Sequence, residues 1–206
     1  MKWWKRVLRK ILIKGIRVKE VKTPQEKELF HKLWRKVWRQ EGYSNPEDEE
    51  RIVNHYHLYE PYSTDLIFFL WFFIPVGTLR IIWPSEIGTP VINDFELWQK
   101  TAGALPEITL LTLKPKVRKW GISIFMFREA YRIVKRKGYT GVLMAADERL
   151  FRLLRELFPT IKQVGTGKWY EGSFTIPAVI QFEETIQCLK ETNPRLLEFF
   201  EVLEEP

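Results

Sequence analysis

One cysteine, Cys188, leaves this chain of 206 residues without an intrachain disulfide, and with no second cysteine the three histidines, His31, His55 and His57, do not suggest a zinc site. A disulfide-built secreted domain is excluded on that ground, metal binding is disfavoured, and the chain is read as metal-free and cytoplasmic. Long apolar runs are also missing. The longest, "LIFFLWFFIPVGTLRIIW", is interrupted by Pro75, Gly77 and Arg80, so it predicts two buried strands about a tight turn and not a membrane span. The opening "MKWWKRVLRKILIKG" mixes charges among its apolar residues and has no run of small residues for cleavage, which argues against a signal peptide. With 45% hydrophobic and 15% aromatic residues, the length suits one well-packed domain with terminal appendages.

Acidic residues are scarce at one end. Residues 1–22 hold nine Lys/Arg and one Glu, so the net charge of +7 belongs to an N-terminal arm and the rest of the chain is nearly neutral. The stretch from Glu183 to Pro206 reverses the sign, with seven Glu against Lys190 and Arg195. Three parts follow: a basic amphipathic helix at 1–16, a folded domain at 17–182 and an acidic helical tail at 183–206. Within residues 2–14, Trp4, Val7, Leu8, Ile11 and Leu12 share one helical face. Such a helix fits docking on an anionic membrane surface at the inner face of the membrane; pairing with the acidic tail is the second reading. Nucleic-acid binding is disfavoured, because no reading element accompanies the arm.

"GIRVKEVKT" alternates as a half-buried strand does, and Thr23-Pro24 followed by Glu26 opens a helix that stops near Gly42. "SNPEDEERIVNHYHLYEPYS" predicts a loop with at most one short helical turn, and His55 and His57 would face the same side of a strand. Asp65 to Phe73 and Val76 to Trp83 read as a hairpin about "IPVG". "PSEIGTPVINDFELWQKTAGALP" is irregular and leads to the strand "EITLLTL". A long helix ends at Gly138, "YTGVLMAA" is a buried strand, and Asp147 caps "ERLFRLLRELF". Strands at "IKQVGTGKWY" and "IPAVIQF" precede the tail. The order describes a mixed α/β sheet with a central crossover.

That crossover contains "KPKVRKWGIS". A strand, a basic residue, a glycine and a small side chain at a helix start can cradle a pyrophosphate, because first-turn N–H groups lack internal partners and sit at the positive end of the helix dipole. Gly121 would let a phosphate approach the backbone, Arg118 adds charge, and Ser123 is small enough not to block it. An ordinary helix start is the competing reading.

"EITLLTLKPKVRKWGISIFMFREAYRIVKRKG" resembles the central strand, pyrophosphate loop and helix of the GNAT acyltransferase superfamily, with Arg118, Gly121 and Ser123 at the three defining loop positions. The resemblance implies a mixed, largely antiparallel sheet with a central parallel strand pair and helices on both faces. It also implies a thioester bound at Arg118, Lys119, Trp120, Gly121, Ile122 and Ser123, with its pantetheine arm between "EITLLTL" and "YTGVLMAA". "RKVWRQEGY", with Arg35, Val37, Glu41 and Gly42, "VGTLR" with Arg80, "EIT" with Glu107, and "YEGSFTIP" are similar to motifs of the branch that includes autoinducer (acyl-homoserine-lactone) synthases and N-acyl amino acid synthases. That branch's paired acids are here "HLYE", with Glu60 as the second acid and His57 in place of the first, and its arginine after "EIT" is Leu110. Both changes argue against homoserine-lactone synthesis and leave acyl transfer to another amine.

Aminolysis of a thioester needs a neutral amine, a proton acceptor and donors for the oxyanion. Glu107 is the candidate general base, acting through water; a strand-end carboxylate paired with Arg80 or Arg35 is the alternative. Arg80 lies in an apolar strand and must reach solvent or meet a carboxylate. Arg35, Glu60 and Arg80 are candidates for holding a polar acceptor, in one network with Glu107, and Tyr170 for protonating the leaving thiolate. Cys188 has no visible base partner. The aromatic strands suit either a long acyl chain or a filled core. The reading is an N-acyltransferase that moves a medium or long acyl group from acyl-CoA or acyl-carrier protein to a small amine such as an amino acid. An ordinary acetyltransferase and a non-catalytic domain binding acyl thioesters or membranes are its rivals.

Overall fold

The computed structural model describes residues 15–71, 73–97 and 105–201, with Pro46, Lys119 and Trp120 as backbone only. The expected helix at 2–14, with its membrane-docking and helix-pairing readings, lies outside the described residues. Contacts divide the chain into two compact units, Met1–Ile82 with Ile108–Glu129 and Trp83–Glu107 with Ala130–Pro206.

The first unit contains β1 (Ile16–Glu20), α1 (Pro24–Glu41), α2 (Pro46–His57), β2 (Ser63–Leu70), β3 (Ile74–Ile82), all but the first residue of β4 (Glu107–Leu113), and the start of α4 (Ile122–Arg136). Its strands are hydrogen-bonded in the order β1-β2-β3-β4. Helix α1 begins at the predicted capping box, in which the Thr23 hydroxyl accepts from Glu26 N–H while the Glu26 carboxylate accepts from Thr23 N–H. It ends where Gly42 takes a φ of 80° and Tyr43 N–H donates to the Trp38 carbonyl. Phe30 and Trp34 of α1, Ile52 and Tyr56 of α2, Ile67 of β2 and Leu110 of β4 form one buried cluster.

Two expectations fail here. The expected loop at 44–63 is mostly the twelve-residue helix α2. Asn45 Oδ1 caps it by accepting from Asp48 N–H at 2.8 Å, Pro46 suits its first turn, and Glu47, Asp48 and Glu49 face its positive end. Its many charges hide a single apolar stripe, Ile52 and Tyr56, spaced four apart. His55 and His57 therefore lie about 200° apart around a helix and share no strand face. β2 ends at Leu70 and β3 already begins at Ile74, so the hairpin does not turn about "IPVG". A register shift between Phe68 and Phe69 pairs Phe69 with Pro75, and such a bulge tolerates a residue with no N–H to donate.

The second unit contains α3 (Pro90–Asp94), Glu107 of β4, the end of α4, β5 (Gly141–Asp147), α5 (Glu148–Leu157), β6 (Lys162–Gln163), β7 (Lys168–Tyr170), β8 (Ser173–Gln181), α6 (Phe182–Thr192) and α7 (Pro194–Glu201). β5 and β6 flank β8, β7 also pairs with β8, and all these pairings are antiparallel. Glu107 pairs in parallel with Leu143 of β5, which gives the mixed, largely antiparallel sheet its one parallel pair among the described residues. Helix α3 interrupts the segment expected to be irregular, and "IKQVGTGKWY" splits into β6 and β7. Gly138 at φ 84° ends α4, and Asp147 caps α5 by accepting from Leu150 N–H at 2.7 Å, both as predicted. The acidic tail is helical and packs inward through Leu196, Leu197 and Phe200, with Phe200 edge-on to Tyr131 and Phe158. Among the described residues, no helix is long and apolar enough to cross a membrane.

Candidate active site

In the first unit, "VGTLR" of β3 shapes β4. A Cβ on Gly77 would stand 2.6 Å from the Thr112 carbonyl oxygen, so only glycine permits this approach. The Thr78 hydroxyl lies 3.0 Å from the Leu110 carbonyl and 2.6 Å from Thr112 Oγ1. Leu110 itself takes a φ of 46° in mid-strand, a strained conformation for a branched side chain, and is buried at the kink. The motif thus holds β4 in a bent path.

Arg80 ends that motif with no solvent exposure. Its Nε and Nη2 donate to the two carboxylate oxygens of Asp65 at 2.6 and 2.7 Å, and Nη1 donates to the Tyr56 carbonyl at 2.9 Å. The guanidinium is thereby occupied, with Glu60 Oε1 a further 3.6 Å neighbour. Partial burial alone would raise the Glu60 carboxyl; Lys27, Arg80 and His31 together hold it below its usual range. His31 Nε2 lies 2.9 Å and His57 Nε2 3.5 Å from Glu60 Oε1. These three groups have the spacing of metal ligands, yet their chemistry points elsewhere. The Trp34 indole N–H donates to His31 Nδ1 at 3.3 Å, so the neutral ring carries its proton on Nε2, toward Glu60. Burial first, then Arg80 and His57, keeps His31 below its ordinary pKa. Glu60 already pairs with Lys27 and Arg80, so the cluster is a charge network, in which His31 Nε2 and Glu60 Oε1 lie close without a hydrogen bond between them. Arg35 stands apart from it, donating from Nε to the His31 carbonyl of its own helix at 3.1 Å.

The predicted phosphate loop is also in this unit. Residues Pro115–Trp120 form a 3-10 turn, Gly121 takes a φ of 78°, and α4 starts at Ile122. Glycine is required at that angle. Arg118 is anchored on both sides: Nε donates to the Leu113 carbonyl at 3.0 Å and Nη1 to Glu41 Oε2 at 2.8 Å. Glu41, the acid of the first-helix motif, is therefore the residue that positions Arg118. Burial, then the charge of Lys36, holds the Lys114 ammonium below its usual range. Two cations that repel each other favour an anion near them. Ser123 is partly exposed at the first turn of α4.

Glu107 has its partners in the second unit. It is 1% exposed, and Oε2 accepts from Val91 N–H at 2.8 Å, at the first turn of α3. Burial pushes its carboxyl up to about 8 against the Val91 N–H and the Thr89 hydroxyl, and the negative charges of Asp94 and Glu171 add to the rise. The Tyr170 hydroxyl donates to Asp94 Oδ2 at 2.7 Å. Tyr170 thus shares its proton with an acid, and Phe95 packs against its ring at 5.5 Å.

The family model described as "FeeM: N-acyl amino acid synthase FeeM" matches residues 30–182, well over half of the chain. The chain belongs to the FeeM N-acyl amino acid synthase family. It is an acyltransferase that uses an acyl donor, and the match contains Arg35, Glu60, Arg80, Glu107, the Arg118–Ser123 loop and Tyr170. The chain is similar in fold to FeeM, an N-acyl amino acid synthase from uncultured soil microbes, at TM-score 0.68 and 15% identity over 84% of this chain and 93% of that one. It is similar to BjaI, a CoA-dependent acyl-homoserine lactone synthase solved with SAM and isopentyl-CoA, at TM-score 0.54 and 13% identity over 86% and 89% of the two chains. A protein described as an acetyltransferase of the GNAT family from Desulfovibrio desulfuricans matches at TM-score 0.56 and 11% identity over 82% and 99%. No curated protein matches the chain in sequence.

In this FeeM family member, sequence reasoning missed Asp65, Asp94, Lys36 and Lys114. Asp65 carried a signal, an acid at the edge of the apolar run "LIFFL" whose only reasonable burial is against a cation. Asp94 carried none, because its role depends on α3 presenting it to Tyr170. The expected single network of Arg35, Glu60, Arg80 and Glu107 is not formed as such: Glu60 and Arg80 meet, Arg35 bonds its own helix, and Glu107 bonds the α3 backbone.

Proposed function

We propose that this protein transfers a medium or long acyl group from a CoA or acyl-carrier-protein thioester to the amine of a small acceptor such as an amino acid. The observation that carries the reading is Glu107, a fully buried carboxyl at about 8 within the matched FeeM region. A base poised there holds a proton at neutral pH and releases it slightly above, which suits deprotonation of an ammonium group. Glu107 accepts the amine proton through water, the nitrogen lone pair forms the new C–N bond, the C–S bond breaks, and the thiolate takes up a proton. Tyr170, bonded to Asp94, is the group proposed to supply that proton. The loop Arg118, Lys119, Trp120, Gly121, Ile122 and Ser123 holds the phosphates of the donor, with Lys36 and Lys114 adding charge. Glu60, Arg80 and Arg35 are the candidates for holding the polar acceptor, Glu60 and Arg80 as neighbours and Arg35 apart from them. BjaI, crystallised with isopentyl-CoA, supports a CoA donor; the coarser family assignment leaves carrier protein equally open.

Glu107→Gln tests the base. The variant is expected to lose about 100-fold or more in turnover while binding acyl-CoA as tightly as wild type. Unchanged turnover removes Glu107 from the mechanism. Calorimetric titration with CoA, acetyl-CoA and acyl-CoA of rising chain length tests the donor: affinity is expected to rise with chain length and to vanish in Gly121→Glu. Tightest binding of acetyl-CoA would instead mark an acetyltransferase.

A further inference from the structure

The solvent face of α1 is basic. Lys32, Arg35, Lys36 and Arg39 follow one another at helical spacing, opposite the buried Phe30, Trp34 and Val37, and Glu28 is the one acid on that face. Arg39 is met by Glu49, and Arg35 turns its Nε to a backbone carbonyl of its own helix. The turn after β4 brings Lys114 and Lys116 to the same unit. Helix and turn lie side by side: Glu41 at the end of α1 accepts from Arg118 at 2.8 Å, and Lys114 feels the charge of Lys36.

The ammonium groups of Lys32, Lys36, Lys114 and Lys116 meet no carboxylate among the described residues, whereas those of Lys19, Lys22 and Lys27 in the same unit each meet a glutamate. Lys32, Lys36 and Lys116 are exposed and Lys114 is half-buried. Like charges gathered in this way repel one another, and folding gains nothing from the arrangement. Such a surface suits an anionic partner.

We propose that Lys32, Lys36, Lys114 and Lys116 form the docking surface for an acidic acyl-carrier protein, which presents the acyl group on its phosphopantetheine arm. The proposal rests on the reading of the Arg118–Ser123 loop as the place where the donor's phosphate is held. A carrier protein's pantetheine ends in one phosphodiester to a serine, so the carrier's body begins where that phosphate is bound and must lie against the rim that these lysines form. Coenzyme A fits the face less well. Beyond its pyrophosphate it has a single phosphate, whereas α1 alone spreads its cations over about 10 Å from Lys32 to Arg39. A lipid surface would be met by apolar side chains between the cations, and this face of α1 has none. Charges at such a rim speed encounter and select the partner more than they tighten the complex, which suits a carrier that must leave after each transfer.

The test is calorimetric titration of the full chain with the acyl-carrier protein of bacterial fatty-acid synthesis charged with a dodecanoyl group, and in parallel with dodecanoyl-CoA. Wild type is expected to bind the charged carrier, less tightly as salt is raised. Lys32→Glu with Lys116→Glu should weaken carrier binding about tenfold or more and leave dodecanoyl-CoA binding unchanged, because neither residue belongs to the Arg118–Ser123 loop. Lys32→Arg with Lys116→Arg should bind the carrier like wild type. Thermal midpoints of both variants should hold, since both side chains are exposed. The proposal is wrong if the glutamate variant binds the carrier like wild type, if it loses carrier and dodecanoyl-CoA alike, or if wild type binds dodecanoyl-CoA and no carrier. Binding of neither donor by wild type would overturn the phosphate-loop reading together with it. Carrier binding that survives in the glutamate variant while binding to phosphatidylglycerol vesicles is lost would make the face a lipid-docking surface.

Discussion

Glu107 is neutral over most of the physiological range because ionising it would place a charge in a buried, poorly solvated position. Its folded value, about 8, lies above its ordinary value of 4.5. The fold therefore favours the protonated carboxyl: that contribution is complete below about pH 4.5 and is lost as pH rises through about 8. Between those values wild type should lose a few kcal/mol relative to Glu107→Gln, which cannot ionise. Urea unfolding of both proteins at a series of pH values measures it, and parallel curves would contradict the burial argument. Activity should move the opposite way, rising toward about pH 8 as the base form appears. Arg80 makes a different prediction. Asp65→Asn leaves a guanidinium of 0% exposure without its bidentate partner, at an expected cost of about 3–5 kcal/mol in unfolding free energy. A loss below about 1 kcal/mol would show that Glu60 alone neutralises Arg80.

Glycines separate two kinds of constraint at the level of elements. Gly138 ends α4 at φ 84°, and a methyl group placed there would meet nothing within 4 Å, so Gly138→Ala should cost only the conformational strain, about 1–2 kcal/mol. Gly141 opens β5 in an ordinary conformation, yet a Cβ there would lie 2.5 Å from the Ile180 carbonyl oxygen. Gly141→Ala should cost about 3 kcal/mol, because β5 and β8 must part to admit it. Thermal unfolding of the two variants decides the order; equal losses would remove the distinction. The first glycine was legible as a helix stop, whereas the second reads in sequence like any strand glycine. Helix α2 was likewise hidden, since Asn45 and Pro46 are as common in turns as in helix starts and only the burial of Ile52 and Tyr56 selects the helix.

For the molecule as a whole, a donor that binds only the folded chain must stabilise it. Acyl-CoA at 100 times its Kd should add about 2.7 kcal/mol to the unfolding free energy of wild type and nothing to that of Gly121→Glu. A stabilisation that survives the substitution would place the donor away from the Arg118–Ser123 loop. The sequence by itself determined the mixed sheet, the capped helices α1 and α5, the glycine at the loop and the residue types an acyl transfer requires, because these rest on local spacing and on short motifs. Tertiary structure alone decided what those residues do. Arg118 is aimed by Glu41, 77 residues away in the chain, Arg80 is consumed by Asp65 on the neighbouring strand, and Glu107 acquires its raised pKa from burial against α3. Charge and hydrogen-bonding capacity are written in each side chain, but the partner that satisfies them and the water that is excluded depend on which elements pack together.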